Sequence, residues 1–286
     1  MTPRPVRVLV VAYGRPDLLE ATLRSLGGRF DVHVVDNSSQ PAVAEVAARC
    51  GARYTDPGRN GGFAAGVNVG IADALTREPA DLLLLNPDAE LDAAAVEALG
   101  ARLHAPDATR VGALSPALVD DEGRPQRVLW PFPHPVRAWV EAVGLGRFNR
   151  SPDFAVGTAL LLRWEAIGDV GGFDERFFLY AEETDWQRRA RDHGWTARLV
   201  PEVVARHVGG ATSSDPLRRE RLFHAGTETY VRKWFGPVGW QVYRAASWFG
   251  ATLRAAALRG ERGAAARARA SVYRRGPRRA AGLEAR

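Results

Sequence analysis

Residues 7–13 read RVLVVAY, and together with residues 16–26 and 31–36 they decide the fold. The first of these segments is an almost continuous run of apolar residues, which is typical of a strand that is buried on both faces. Residues 16–26 place leucines at helical spacing on one side, and residues 31–36 (DVHVVD) form a second short apolar run. A strand, a helix and a second strand in this order predict a βαβ unit.

The same alternation continues to residue 103. We predict helices over residues 42–50, 62–75 and 93–103, with strands over residues 53–55 and 81–86. This order indicates an α/β fold with a single, mostly parallel sheet that has helices on both faces. Ligands of such sheets bind at the carboxyl ends of the strands.

The later part of the chain is less regular. A proline-rich segment at residues 130–135 cannot lie inside a helix. We predict strands over residues 156–163 and 196–200, and helices over residues 185–192 and 216–234.

Polar residues follow three of the predicted strands. The segments are Tyr13-Gly14-Arg15, Asp36-Asn37-Ser38 and Asn86-Pro87-Asp88. Because the carboxyl ends of parallel strands meet at one edge of the sheet, these residues predict a polar pocket there.

The composition excludes several classes of protein. Of 286 residues, 46% are hydrophobic and 25% are charged, as in ordinary soluble domains, which argues against intrinsic disorder. Cys50 is the only cysteine, so neither a disulfide framework nor a cysteine zinc site can form. The short apolar run near the N-terminus does not resemble a secretory signal, and no run reaches the ~18 residues needed to span a bilayer. We therefore expect a cytoplasmic protein.

The net charge of +6 is unevenly distributed. Residues 244–286 contain 11 arginines and 2 glutamates, so the rest of the chain is net acidic. Aromatic residues between Trp234 and Phe249 precede these arginines, and this combination favours an anionic membrane surface over nucleic acid as a partner. The alternative is a solvated Ala/Arg-rich end. We predict a domain over residues 1–239 and a helical, basic extension over residues 240–286.

Residues 171–186 read GGFDERFFLYAEETDW and place Glu182, Glu183 and Asp185 directly after an apolar segment. A carboxylate beside an apolar wall has the raised pKa that a general base needs. An acidic first turn that complements a helix dipole would look the same. The block alone leaves both interpretations open.

Two nucleotide-binding motifs are absent, because neither Gly-x-Gly-x-x-Gly after the first strand nor a P-loop occurs. The glycine-rich segment is instead residues 60–68, NGGFAAGVN, where small residues would let a helix pack closely beneath a nucleotide. A tight turn with close helix packing explains the glycines equally well.

Four motifs occur in a characteristic order: residues 35–39 (VDNSS), 60–68, 84–88 (LLNPD) and the acidic block at 171–186. This order resembles glycosyltransferase family 2, which has the GT-A fold, and in particular its bacterial rhamnosyltransferase-like members. The resemblance covers residues 6–236.

The resemblance implies roles for individual residues. Glu183 matches the family's catalytic base, and Asp88 would hold Mg²⁺ or Mn²⁺ on the diphosphate of a nucleotide sugar. Tyr13 and Asp36 would contact the nucleobase and ribose. The remaining residues expected in the nucleotide-sugar pocket are Arg15, Asn37, Asn60, Gly61, Asn68 and Asn86.

Two positions depart from the family pattern. Asn86 replaces the first carboxylate of the common Asp-x-Asp metal motif, so a metal-independent site in which Arg15 or His207 neutralises the leaving group remains an alternative. His207 stands where related enzymes have a metal-binding or phosphate-binding histidine, although a lone histidine is more often structural. The base position commonly carries Asp, so Glu182 and Asp185 stay alternatives to Glu183.

The implied activity is inverting transfer of a sugar, with dTDP-L-rhamnose as the favoured donor, to a glycan or polyprenyl-linked acceptor in cell-envelope polysaccharide synthesis. No nucleic-acid partner is expected. The enzyme would work in the cytoplasm, at the inner face of the membrane when the acceptor is lipid-linked. The alternatives are a nucleotidyltransferase of similar fold and a non-catalytic nucleotide- or glycan-binding accessory protein.

Overall fold

The computed structural model describes residues 4–148, 151–208 and 215–283. The chain divides into two compact units. The first comprises the chain up to Trp130, Asp153–Phe178 and the part from Glu182 through the last strand. The second comprises the part from Pro131 to Pro152, Leu179–Ala181 and the helical part from Asp215 onward.

The first unit contains all of the strands that the structure describes, and they alternate with helices over the first half of the chain. The strands are β1 (Val6–Ala12), β2 (Asp31–Asp36), β3 (Arg53–Thr55), β4 (Asp81–Leu85), β5 (Ala89–Glu90), β6 (Val111–Val119), β7 (Pro125–Gln126), β8 (Leu129–Trp130), β9 (Phe154–Ala155), β10 (Ala159–Leu162) and β11 (Thr196–His207). The helices of this unit are α1 (Pro16–Ser25), α2 (Pro41–Arg49), α3 (Phe63–Leu75), α4 (Ala93–Leu103), α6 (Trp164–Val170) and α7 (Glu182–Asp192). Helix α5 (Pro135–Ala142) belongs to the second unit.

Within the described residues, nine strands form one sheet in the order β3-β2-β1-β4-β10-β6-β11-β5, with β7 paired to β6. The pairs β3/β2, β2/β1, β1/β4 and β6/β11 are parallel, and they include the two longest pairings, β1/β2 and β6/β11. Strand β10 runs antiparallel to both of its neighbours, and the short strands β5 and β7 run antiparallel to β11 and β6. The predicted α/β class with a mostly parallel sheet is therefore confirmed.

The strand order reverses next to β1. The connections through α1 and α2 step from β1 to β2 to β3, and α3 then returns the chain past both strands to β4. Because such crossovers are right-handed, α3 lies on the opposite face of the sheet from α1 and α2. The crevice at the carboxyl ends of β1 and β4 is therefore the expected ligand site.

Helix α3 lies unusually close to β1 because two glycines face the strand. A Cβ atom on Gly66 would lie 2.6 Å from Cγ1 of Val11, and one on Gly70 would lie 2.3 Å from Cδ2 of Leu9. Residues i and i+4 of a helix share a face, as do residues i and i+2 of a strand. The glycine spacing therefore matches the register of β1.

Strand β11 is longer than predicted, since it continues from Thr196 to His207. An irregularity between Val200 and Val204 separates its two parts. After it, Arg206 pairs with Glu90, and His207 pairs with Ala89 in β5. This second part carries His207 to the turn that contains Asp88.

The second unit is helical. Besides α5, it contains α8 (Pro216–Ala257), α9 (Gly260–Arg275) and α10 (Pro277–Ala280). Helix α8 is kinked at Gly236, whose φ is 67°, and Pro237 follows directly. The predicted boundary at 239/240 lies within α8, shortly after this kink. The predicted helical extension is confirmed.

The packing of α3 predicts opposite effects for two helical glycines. Gly70→Ala should lower the free energy of unfolding by about 1–2 kcal/mol, because the new methyl group meets the buried Leu9 side chain. Gly168→Ala in α6 is the matched control, since a Cβ there has no atom within 4 Å. It should raise the free energy of unfolding by about 0.5–1 kcal/mol through helix propensity. Urea denaturation measures both, and equal stabilisation by the two substitutions would contradict the packing argument.

Candidate active site

The carboxyl ends of β1 and β4 bring Arg15 within electrostatic reach of Asp88. Tyr13 follows β1 and is exposed, and Arg15 takes a positive φ of 50° as the N-cap of α1. Arg15 donates two hydrogen bonds to Asp17, at 2.9 and 2.7 Å. The bonded Asp17 carboxylate raises the pKa of the Arg15 guanidinium, and the Asp88 carboxylate adds to the shift. A guanidinium here can face an anionic ligand.

Asp36 ends β2 and is completely buried. Its carboxylate accepts hydrogen bonds from the backbone N–H and hydroxyl of Ser38, at 2.8 and 2.6 Å. The backbone N–H of Gln40 and the hydroxyl of Tyr54 donate to its other oxygen, each at 3.1 Å. These bonds fix the turn after β2. A contact between Asp36 and a nucleoside stays a prediction.

Two asparagines hold the glycine-rich loop. Asn37 donates from Nδ2 to the carbonyl of Gly62 at 2.9 Å, and Oδ1 of Asn60 accepts from the N–H of Gly62 at 3.0 Å. Gly61 is equally constrained, because a Cβ there would lie 2.7 Å from Cβ of Ala65. Among the described residues, the buried Oδ1 of Asn37 has no hydrogen-bond partner. It is a polar atom available to a ligand.

The glycine-rich loop also touches the segment that leads to α7. Gly62 has a φ of 90°, and a Cβ there would lie 2.2 Å from the carbonyl oxygen of Phe178. The N–H of Phe63 donates to the same oxygen at 2.9 Å. Only glycine permits both the backbone conformation and this close approach.

One turn further along α3, Asn68 binds the same segment. It donates to the carbonyl of Phe173 at 2.9 Å and accepts from its N–H at 2.7 Å, and it also donates to Glu175 at 2.8 Å. The amide that we predicted to line the nucleotide pocket thus holds the loop before α7. Its contact with a nucleotide stays a prediction.

Helix α7 begins at Glu182, after two consecutive residues with positive φ, Tyr180 at 70° and Ala181 at 69°. Side chains of L-residues disfavour this region by about 1–2 kcal/mol each, and such strain is concentrated at functional sites. Gln187 fixes the helix to β9, because its amide accepts from the N–H of Ala155 at 2.9 Å and donates to its carbonyl at 2.7 Å.

The three carboxylates of α7 have different surroundings. Burial raises the pKa of Glu183 to about 7, although the N–H groups of Glu183 and Thr184 at the helix start oppose the shift. Burial raises the pKa of Glu182 well above its usual value, and the adjacent Glu183 carboxylate raises it further. Asp185 is fully buried and accepts from Nε of Arg189 at 3.1 Å. Glu183 is therefore the carboxylate with the properties of a general base near neutral pH.

Gly157 and Thr158 connect Glu183 to the end of β4. A Cβ on Gly157 would lie 3.5 Å from Cβ and Cγ of Glu183, so the glycine leaves space beside that side chain. The carbonyl of Thr158 accepts from the N–H of Asn86 at 2.8 Å. Two adjacent residues thus contact both the candidate base and the turn that leads to Asp88.

Asp88 and His207 face each other. Nε2 of Gln126 donates to the carbonyl of His207 at 3.0 Å, so its Oε1, 2.8 Å from Nδ1 of His207, accepts from Nδ1–H. In a neutral imidazole this leaves the lone pair on Nε2, which lies 3.6 Å from Oδ1 of Asp88. That oxygen is buried and has no hydrogen-bond partner among the described residues.

Two acceptors at this distance fit a shared cation. Mg²⁺ or Mn²⁺ could be held by Asp88 and His207, with phosphate oxygens and water as further ligands. In the part of the chain that the structure describes, no group of three or more His, Cys, Asp or Glu residues could hold a metal. The described residues therefore supply a partial coordination shell, which a diphosphate could complete.

Sequence reasoning missed three contributors to the site. Gln126 lies in a two-residue strand, Gln187 follows the acidic block, and Gly157 is an isolated glycine. Nothing in the local sequence marks Gln126. For Gln187, its position one helical turn after Glu183 was the available signal.

The family profile described as Glycosyl transferase family 2 matches residues 7–158, just over half of the chain. A second profile, Glycosyl transferase family group 2, matches residues 139–261.

Two curated proteins are similar in sequence. The chain is 28% identical over 273 residues to the N-acetylglucosaminyl-diphospho-decaprenol L-rhamnosyltransferase of Mycobacterium tuberculosis, which covers 82% of this chain and 87% of that protein. It is 28% identical over 194 residues to the low-salt glycan biosynthesis hexosyltransferase Agl10 of Haloferax volcanii, which covers 64% of this chain and 61% of that protein.

A solved structure of similar fold is the glucosyl-3-phosphoglycerate synthase of Mycobacterium tuberculosis in complex with Mn²⁺, uridine diphosphate and glucosyl-3-phosphoglycerate. It matches with a TM-score of 0.54 at 15% identity, over 80% of this chain and 77% of that chain. This likeness concerns the fold alone and confirms the predicted GT-A architecture. Because the family profile spans more than half of its residues, the chain belongs to glycosyltransferase family 2 and is a glycosyltransferase.

Proposed function

We propose that this glycosyltransferase inverts the anomeric centre of a nucleotide-activated sugar, with L-rhamnose from dTDP-L-rhamnose as the donor and a lipid-linked glycan as the acceptor. The choice of donor and acceptor rests on the similarity to the mycobacterial L-rhamnosyltransferase, whose name specifies a diphospho-decaprenol acceptor. Cell-envelope polysaccharide synthesis is the corresponding setting. A lipid-linked acceptor requires the enzyme to work at a membrane surface, where the basic C-terminal part is suited to anionic lipid.

The observation that carries the mechanism is the environment of Glu183. An acceptor hydroxyl attacks the anomeric carbon while the bond to the nucleoside diphosphate breaks on the opposite face. Glu183 takes the hydroxyl proton, and a pKa near 7 lets it accept that proton at neutral pH. A single base and direct displacement give inversion.

The leaving group needs positive charge. A divalent cation bound by Asp88 and His207 would supply it to the diphosphate as a Lewis acid. Arg15 lies near Asp88 and is suited to bind the phosphate oxygens directly. Asn37 contributes its Oδ1, which has no hydrogen-bond partner among the described residues and could accept from a ligand donor.

Glu183→Gln should lower kcat by about 10²- to 10⁴-fold while it preserves donor binding, because the amide keeps the shape and loses the basicity. Release of nucleoside diphosphate measures kcat, and calorimetry with dTDP measures binding. Glu182→Gln and Asp185→Asn are the comparison variants, and both should retain more activity than Glu183→Gln. Near-normal turnover by Glu183→Gln would move the base to one of these two residues.

The pH dependence of kcat should have an acidic limb. Protonated Glu183 cannot accept a proton, so kcat should fall about tenfold per pH unit below a midpoint near 7 and level off above it. Turnover measured from about pH 5.5 to about pH 9 at saturating substrate tests this. A profile that stays flat across the midpoint would show that Glu183 is not the base.

Asp88→Asn should weaken Mn²⁺ binding in the presence of dTDP by at least about tenfold, because it removes the carboxylate from the two-residue site. Electron paramagnetic resonance of free Mn²⁺ measures this, and Glu122→Gln, at an exposed side chain, is the control. Chelation should abolish turnover, and Mg²⁺ or Mn²⁺ should restore it. Full activity in excess chelator would instead assign charge neutralisation to Arg15 and His207.

A further inference from the structure

The second half of α8 presents an outer face of unusual composition. Between Val238 and Ala256, the exposed side chains are apolar or uncharged except for Arg254. Surface helices normally place charged residues on the side away from their packing partners. Here the packed side holds Trp240, Ala246 and Gly250, and large apolar side chains remain outside.

Helix α5 extends this face. Val136 and Trp139 of α5, and Val143 directly after it, are exposed and follow helical spacing, so they lie on one side. The centroid of the Trp139 ring lies 5.7 Å from that of Phe249 on α8. The two outer surfaces are therefore continuous.

Small residues at the contact between α5 and α8 let the two helices pack closely. Ala138 and Ala142 of α5 cluster with Ala246 of α8, and a Cβ on Gly250 would lie 2.8 Å from Cα of Ala142. The helices pack through these positions, so the larger side chains are not needed between them. We call the exposed set Val136, Trp139, Val143, Val242, Phe249 and Leu253 the α5–α8 apolar face.

Positive charge dominates the rest of this unit. Helix α9 carries five arginines and one glutamate, and α10 adds two more arginines. Most arginines of α9 are exposed. Arginines beside an apolar, aromatic surface complement an anionic lipid interface, where the rings enter the headgroup region. The same charge opposes contact with a second copy of this chain.

We infer that the α5–α8 apolar face docks onto an anionic lipid surface, with the arginines of α9 and α10 contributing long-range attraction. None of the helices in the described part of the chain is long and apolar enough to cross a bilayer. The contact is therefore interfacial. The inference extends the proposed function by locating the membrane contact, but vesicle binding requires neither donor nor acceptor and is tested separately.

Point substitutions suit this test better than truncation, because the residues after Gly239 include Trp240 and Tyr273, which are buried. The probe is a vesicle of equal parts phosphatidylglycerol and phosphatidylcholine, and flotation measures binding of the full-length protein. Phe249→Glu should reduce binding about tenfold or more, because it places a charge in the apolar contact. Val238 lies one helical turn before Val242, on the same side of α8, and its side chain is 75% exposed. Val238→Glu should therefore have a similar effect with little risk to folding.

Leu75→Glu is the matched control. It makes the same type of change at an exposed leucine of α3, in the first unit, and should leave vesicle binding unchanged. Binding of the unsubstituted protein should decrease with added salt and on vesicles of phosphatidylcholine alone. Circular dichroism and dTDP binding verify the folding of each variant.

Two results would overturn the inference. One is equal vesicle binding by the unsubstituted protein, Phe249→Glu and Val238→Glu. The other is a change from dimer to monomer in sedimentation, caused by Phe249→Glu without a change in vesicle binding, because a second copy would then cover the face. If the unsubstituted protein did not bind dTDP, the proposed function would be contradicted instead, whatever the result with vesicles.

Discussion

The contact between the start of α3 and the segment before α7 positions much of the first unit's candidate site. The carbonyl of Phe178 accepts from the N–H of Phe63 and lies where a side chain of residue 62 would be. Asn68 binds the backbone of Phe173 from the same helix. Because α3 is itself packed against β1 through Gly66 and Gly70, the loop before α7 is held relative to the end of β1. Helix packing, turn geometry and the candidate base are thus coupled through one short helix.

Burial gives adjacent carboxylates different chemistry. Asp185 is paired with Arg189, which also donates to the carbonyls of Val170 and Gly172, so this aspartate serves the loop before α7. Among the described residues, no cation is paired with Glu183. Its desolvation beside Gly157 raises its pKa into the range where a carboxylate exchanges protons at neutral pH. The acidic block therefore combines one structural ion pair with one group suited to proton transfer.

The end of β4 shows how a missing carboxylate can be offset. Asn86 occupies the first position of a motif that often begins with Asp, and its backbone N–H donates a hydrogen bond to the carbonyl of Thr158. His207 then provides a second candidate ligand from β11, and Gln126 fixes its tautomer. The lone pair of Nε2 faces Oδ1 of Asp88, which has no hydrogen-bond partner in the described part of the chain. A cation would stabilise this arrangement. The compensation comes from a distant strand and not from the motif itself.

Apolar periodicity is a local property, so the sequence alone was enough to predict the alternation of strands and helices and the mostly parallel sheet. The pocket at the carboxyl ends of the strands stays a prediction. Helix α4 and strand β2 were predicted with the bounds they have. The tertiary structure alone decided that His207 reaches Asp88, since this depends on the irregularity in β11 and on pairing with β5. It also decided that Asn68 binds the loop before α7 and that α5 and α8 together form the α5–α8 apolar face. These outcomes depend on contacts between residues far apart in the chain, and no local pattern specifies which distant partner a side chain will meet.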